Sequence, residues 1–164
     1  MNIASLWGNP FKINKSDRKS DIGFLSTVPV FDTLTRRQKY QLYSIIHVRH
    51  FNAGEVIFRQ DDPGVGLYII RDGGVDVYNE YSDMTRHKIT ELTQGDFFGE
   101  IALMNNCPRS ATVIATQNTV LFGLFRTDFL NLLDSDPKLG VRVVYRLAKI
   151  LAERLRQINE DTAI

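Results

Sequence analysis

Cysteine is almost absent from these 164 residues: Cys107 stands alone, so no internal disulfide can form and no thiolate cluster can hold a metal. Histidine is scarce as well, and His47, His50 and His87 do not fall at the spacing of a zinc site. Charge of one sign is missing too. With 20 Lys and Arg against 19 Asp and Glu, the net charge of +1 creates no overall field that would draw the chain to nucleic acid or an anionic membrane, so any anion site has to be local. No run reaches the roughly 20 apolar residues of a membrane-spanning helix, and the N-terminus lacks the apolar core of a signal peptide. A reducing, cytoplasmic setting is expected. What is present is 43% hydrophobic and 24% charged residues, a composition suited to one globular domain with a real core.

The texture changes along the chain. Residues 1–22 carry Trp7 and Phe11 in a polar run with Lys12, Lys15, Arg18 and Lys19, without sustained periodicity, and read as an arm. From Asp32 to His50, a cap at Thr33 or Thr35 precedes Tyr40, Tyr43, Ile46 and His47 at helical spacing, which predicts a short helix. Between Val48 and Phe125, short β-branched and aromatic runs are broken by turn signals such as Asn52-Ala53-Gly54, Asp72-Gly73-Gly74 and Gln94-Gly95-Asp96, a pattern of strands in a sandwich or jelly roll. A brief apolar face at Phe129, Leu132 and Leu133 stops at Asp136-Pro137. A last helix is then predicted from Pro137 to about Asn159, on Val143, Val144, Leu147, Ile150, Leu151, Leu155 and Ile158. The fold class is mainly β with flanking helices, a β-roll or jelly roll.

The stretch from Phe97 to Val113 interrupts this strand texture. Gly99 lets backbone come close to a bound group, and the residues after it, Glu100 to Met104, form helix readily, leaving first-turn amides without intrahelical partners. Such amides suit a phosphate. Arg109, after a Pro-fixed turn, can neutralise a phosphodiester and give it paired hydrogen bonds. Glu100 would repel that phosphate unless it accepts a hydrogen bond from a sugar hydroxyl of the same ligand. An arginine for the anion and a glutamate for a hydroxyl together describe a ribose phosphate. Leu103 and Met104 read as core, Cys107 as incidental, and Val75, Val77 and Leu92 as residues of the roll interior.

The segments Phe98-Gly99-Glu100-Ile101-Ala102-Leu103 and Pro108-Arg109-Ser110-Ala111-Thr112-Val113 resemble the phosphate-binding cassette of cyclic-nucleotide-binding domains, as in regulatory subunits of cyclic-AMP-dependent kinase, the catabolite activator protein and nucleotide-gated channels. The resemblance runs from about Phe24 to Asn159, through Pro29-Val30-Phe31, Gly54-Glu55-Val56-Ile57, Tyr68-Ile69-Ile70, Gly73 and Gly95. It implies a binding domain over residues 23–160 and a cyclic nucleotide, cAMP or cGMP, as regulatory ligand with no metal. It further implies that Glu100 holds the ribose 2′-hydroxyl and Arg109 the cyclic phosphate. Gly99, the amides of Ile101 and Ala102, and Ser110 or Ala111 would complete the cradle. Where many relatives carry a Gly-Asp pair and an acidic residue near the cassette arginine, this chain has Asp61 and Val65, so a carboxylate orienting Arg109 is missing from the pattern.

The expected role is a sensor without catalysis, whose terminal helix moves on binding, with a protein partner and a homodimer through that helix as further expectations. In this reading the face with Leu147, Ile150 and Leu151 covers the pocket or meets a second copy. No helix-turn-helix, kinase or pore follows the last helix, so nucleic acid is not an expected partner, and a membrane span is not expected either. The alternative is an input fragment of a larger transcription regulator, channel or kinase-regulatory protein. An enzyme reading lacks the clustered His and carboxylate ligands it would need.

Overall fold

The computed structural model describes residues 15–81 and 85–162. Two helices come first, α1 (Lys15–Leu25) and α2 (Arg36–Tyr43), followed by β1 (Ile46–Phe51), β2 (Val56–Phe58), β3 (Gly66–Asp72), β4 (Gly74–Glu80), β5 (Arg86–Thr93) and β6 (Phe97–Phe98). After the short α3 (Ile101–Met104) come β7 (Thr112–Ala115), β8 (Thr119–Phe125), α4 (Arg126–Ser135) and α5 (Pro137–Thr162). The strands form two four-stranded sheets, in the orders β1-β8-β3-β6 and β2-β7-β4-β5, with every pairing antiparallel. This is the expected β-roll with flanking helices.

Period-2 alternation decides which core each side chain enters. In β3, Leu67 and Ile69 join a cluster shared with the helices, while Tyr68 and Ile70 point into a second cluster with Val75, Phe98, Val113 and Leu121. In β8, Phe122 and Leu124 face the helices and Leu121 the other cluster. The first sheet is therefore covered on both faces, which is why Gly66-Leu67-Tyr68-Ile69-Ile70 reads as an unbroken apolar run.

Three sequence expectations are corrected at their edges. Residues 15–22, read as part of an arm, lie in α1, whose Ile22 and Leu25 are buried in the helix-facing core; residues 1–14 lie outside the described residues. Thr35 caps α2 through a capping box with Gln38, but the helix ends at Tyr43, and Ile46 and His47 open β1 instead of extending it. There β8 offers a full ladder of partners, from Ile46 opposite Leu124 to Phe51 opposite Thr119, and strand pairing overrides the local helical spacing. Finally, α5 runs on to Thr162.

The hinge between α4 and α5 is tight. Asp136 accepts from the Leu139 amide at 3.1 Å, and Pro137 occupies the first position of α5, where its missing N–H costs nothing. Gly140 lets the two helices touch: a Cβ there would sit 2.9 Å from Leu133 Cγ and 3.1 Å from Leu133 Cα. Leu139, Val143 and Leu147 then bury one face of α5 against the core.

Candidate functional site

A cavity of about 510 Å³ is lined by β4, β5, β6, α3, the 108–111 loop and one residue of α5. All seven residues singled out from the sequence, Gly99, Glu100, Ile101, Ala102, Arg109, Ser110 and Ala111, line it. Val77 and Leu92 do so too, whereas Val75 stays in the core between the sheets. Leu103 is buried as expected, but Met104 is 39% exposed, because a single turn of helix carries only one face onto the core.

Gly99 adopts φ +73°, the left-handed region, and a Cβ on it would collide with the Arg109 guanidinium. The glycine thus both turns the chain from β6 into α3 and makes room for the arginine. Glu100 follows at the N-cap of α3 without a side-chain capping bond, which leaves its carboxylate to the cavity wall. Ile101 and Ala102 begin the helix, and amides in a first turn have no intrahelical acceptor.

Arg109 is only 4% exposed. Its Nη1 donates to the carbonyls of Gly66 at 2.7 Å and Gly99 at 3.3 Å, and its Cζ lies 4.1 Å from the centroid of the Phe58 ring. The Nε–H is buried without an acceptor. No described carboxylate forms an ion pair with this guanidinium. Burial accordingly holds its pKa below the ordinary arginine value, and the acidic groups of Tyr68, Cys107, Asp62 and Glu100 oppose that shift only in part. The Arg109 backbone is fixed from the other side. Its N–H donates to the Asp62 carbonyl at 2.8 Å, and its carbonyl accepts from the Asp61 N–H at 2.9 Å. The 61–62 segment therefore supports Arg109 through its main chain, with no side-chain carboxylate paired to the guanidinium. A buried cation with neutral partners and an orphaned donor is costly, and an anion in the cavity would remove that cost.

The cavity also holds a residue that sequence reasoning missed. Arg154 of α5 reaches Glu100 at 3.6 Å and lies 4.5 Å from the Phe97 ring centroid. Leu147, Ile150 and Leu151, expected to cover the pocket or to meet a second copy, pack into the helix-facing core, because they lie on the inner side of α5 one to two turns earlier. Phe58, from β2, supplies the ring beneath Arg109; nothing in its local sequence marks it, since its role comes from a partner about 50 positions later. Among the described residues no group of three or more His, Cys, Asp or Glu is placed to hold a metal ion, and no helix is long and apolar enough to cross a membrane.

Residues 48–136 match the family model of the cyclic nucleotide-binding domain. The chain is 31% identical over 119 residues to a cAMP-dependent protein kinase regulatory subunit of Colletotrichum orbiculare, covering 72% of this chain and 29% of that one. It is 37% identical over 134 residues to a cGMP-dependent protein kinase of Plasmodium berghei, covering 82% and 14%. Among solved structures, the catabolite activator protein of Thermus thermophilus superposes with a TM-score of 0.74 at 31% identity, covering 82% of this chain and 62% of that one. The chain thus spans less than a third of those two kinase-related relatives. Fold and matched segment agree: the chain belongs to the cyclic nucleotide-binding domain family.

Proposed function

We propose that this chain is a cytoplasmic cyclic-nucleotide sensor without catalytic activity of its own, binding cAMP or cGMP in the cavity beside α3. The observation that carries the reading is the buried, counter-ion-free Arg109 with its unused Nε–H. A cyclic phosphate supplies the missing negative charge and accepts from the guanidinium. The first amides of α3, at Ile101 and Ala102, and the Ser110–Ala111 segment close around the other phosphate oxygen. Glu100 accepts from the ribose 2′-hydroxyl. The apolar wall of Val77, Ile89 and Leu92 is left for the base, within a volume in the usual range of small-molecule sites. Relatives named for cAMP and for cGMP both match, so either base is compatible with the family.

The contact between Glu100 and Arg154 supplies the output. A sugar hydroxyl that bonds Glu100 competes with or recruits the α5 arginine, so the ligand interacts differently with each position of α5, as a population shift requires. The test pairs ligand and residue. Wild type is expected to bind the 2′-deoxy analogue about tenfold or more weaker than the parent nucleotide, the worth of one hydrogen bond to a charged acceptor. Glu100→Ala should bind the two equally. Amide exchange across residues 138–159 should also change on saturation; a wild type that binds neither nucleotide ends the proposal.

A second reading, that the domain is the input module of a longer regulatory protein, is favoured by the small fraction of the kinase-related relatives it spans. A second copy of the chain is the partner that α5 itself favours. Val141, Tyr145, Ala148, Ala152, Leu155 and Asn159 are all exposed and stand 4, 3, 4, 3 and 4 residues apart, a coiled-coil seam on the side away from the core. On one side of that seam Arg142, Lys149 and Arg156 alternate with Arg146, Glu153 and Glu160, and Arg156 pairs with Glu160 at 2.9 Å.

A further inference from the structure

A second cavity, of about 350 Å³, lies between α1 and α2 and has no part in the cassette. Its walls carry Lys19, Ser26, Arg36, Lys39 and Tyr40, with Ile22 and Gly23 as the apolar side. Lys39 is the anomaly: it is 7% exposed, yet the acceptor found for its ammonium is the neutral Ser26 Oγ at 2.8 Å. Two guanidiniums crowd the same spot, since the Cζ atoms of Arg18 and Arg36 lie 5.5 and 5.8 Å from the centre of the Tyr40 ring. None of Arg18, Lys19, Arg36 and Lys39 forms an ion pair with a described carboxylate. The acidic group closest in sequence to the cavity wall is already engaged. Asp21 takes Arg71 Nε at 2.9 Å and the Tyr43 hydroxyl at 2.7 Å. The sequence of α2 holds no Asp or Glu, and neither do residues 1–14.

Several cations gathered around one concavity repel each other, and a buried ammonium without an anion is expensive to keep. A balancing charge from outside the chain resolves both. We propose that the α1–α2 cavity is a second anion site, taking a small soluble polyanion of the phosphate or pyrophosphate class. Lys39 forms its floor and Lys19 and Arg36 its rim, while the Tyr40 hydroxyl and Ser26 offer neutral hydrogen bonds. The α1–α2 connection and α2 touch α5: Arg146 pairs with Asp32 of the connection at 2.6 Å, and Arg142 donates to Gln38 of α2 at 3.3 Å. An anion between α1 and α2 therefore acts on the base of the helix that the nucleotide cavity contacts near its other end.

The probe is inorganic pyrophosphate, titrated calorimetrically at constant ionic strength into wild type, Arg109→Ala, Arg36→Gln and Lys39→Met. A saturable site should be present in wild type and persist with similar affinity in Arg109→Ala, which removes the cassette arginine and with it any pyrophosphate held in the nucleotide cavity. Arg36→Gln and Lys39→Met should each weaken it at least tenfold. Gly23→Glu provides a check that does not depend on removing a cation. A Cβ at Gly23 meets nothing within 4 Å, so a glutamate there supplies the anion internally. It should raise the thermal midpoint above that of Gly23→Gln and abolish pyrophosphate binding. No saturable site in wild type, or an affinity untouched by both Arg36→Gln and Lys39→Met, would overturn the proposal.

Discussion

Tyr43 shows how a single hydroxyl ties the N-terminal helices to the roll. Its Oη donates to Asp21 at 2.7 Å, and Asp21 in turn pairs with Arg71 of β3. Burial first, and then the Asp21 carboxylate, push the phenol well above its ordinary pKa of 10. A folded-state pKa above the unfolded one gives stability that is complete below pH 10 and is lost as pH climbs through the folded value. The urea midpoint of wild type should therefore decline from pH 10 upward. Tyr43→Phe should cost about 1 kcal/mol at neutral pH, the usual worth of one hydrogen bond, and should flatten that alkaline decline. At this scale much of the candidate site was legible, because Gly99, Glu100, Ile101, Ala102, Arg109, Ser110 and Ala111 sit within thirteen residues of chain and all line one cavity. Arg154 and Phe58 were not legible, since only the folded chain brings them to the cassette.

Among the elements, the α4–α5 hinge is where sequence and packing meet most sharply. Asp136-Pro137 announced the break, and the structure places it there, with Asp136 capping the start of α5. What a sequence does not reveal is that Gly140 is a contact point. An exposed helical glycine changed to alanine normally gains about 1 kcal/mol. Here the new Cβ would press on the Leu133 side chain and backbone. Gly140→Ala should instead lower stability by about 1–3 kcal/mol, the usual cost of overpacking, seen as a fall of several degrees in the thermal midpoint. An unchanged or raised midpoint would mean that α4 and α5 part without cost. The reassignment of Ile46 and His47 from helix to strand has the same origin: ladder pairing with β8 is non-local, and a window of a few residues cannot see it.

For the whole molecule, α5 carries two stripes. The inner one, with Leu139, Val143 and Leu147, belongs to the domain core, and its period of 3.6 dominated the sequence pattern. The outer one, from Val141 to Asn159, keeps the strict 3.5 period and was masked by its stronger neighbour. Tyr145, 72% exposed, stands near its start. Sedimentation equilibrium should find a dimer that Tyr145→Glu together with Leu155→Glu converts to monomer; a monomer at every wild-type concentration would leave the outer stripe without a copy to meet. The central claim concerns the cavity itself, and calorimetric titration of cAMP and cGMP into wild type and Arg109→Ala tests it most directly. Wild type should saturate at one nucleotide per chain with at least one of the two. Arg109→Ala should lose about a hundredfold or more in affinity, as expected when one half of a buried charge pair is removed. Equal affinity in the two proteins would contradict the assignment of Arg109 to the phosphate, and no binding in either would contradict the sensor itself.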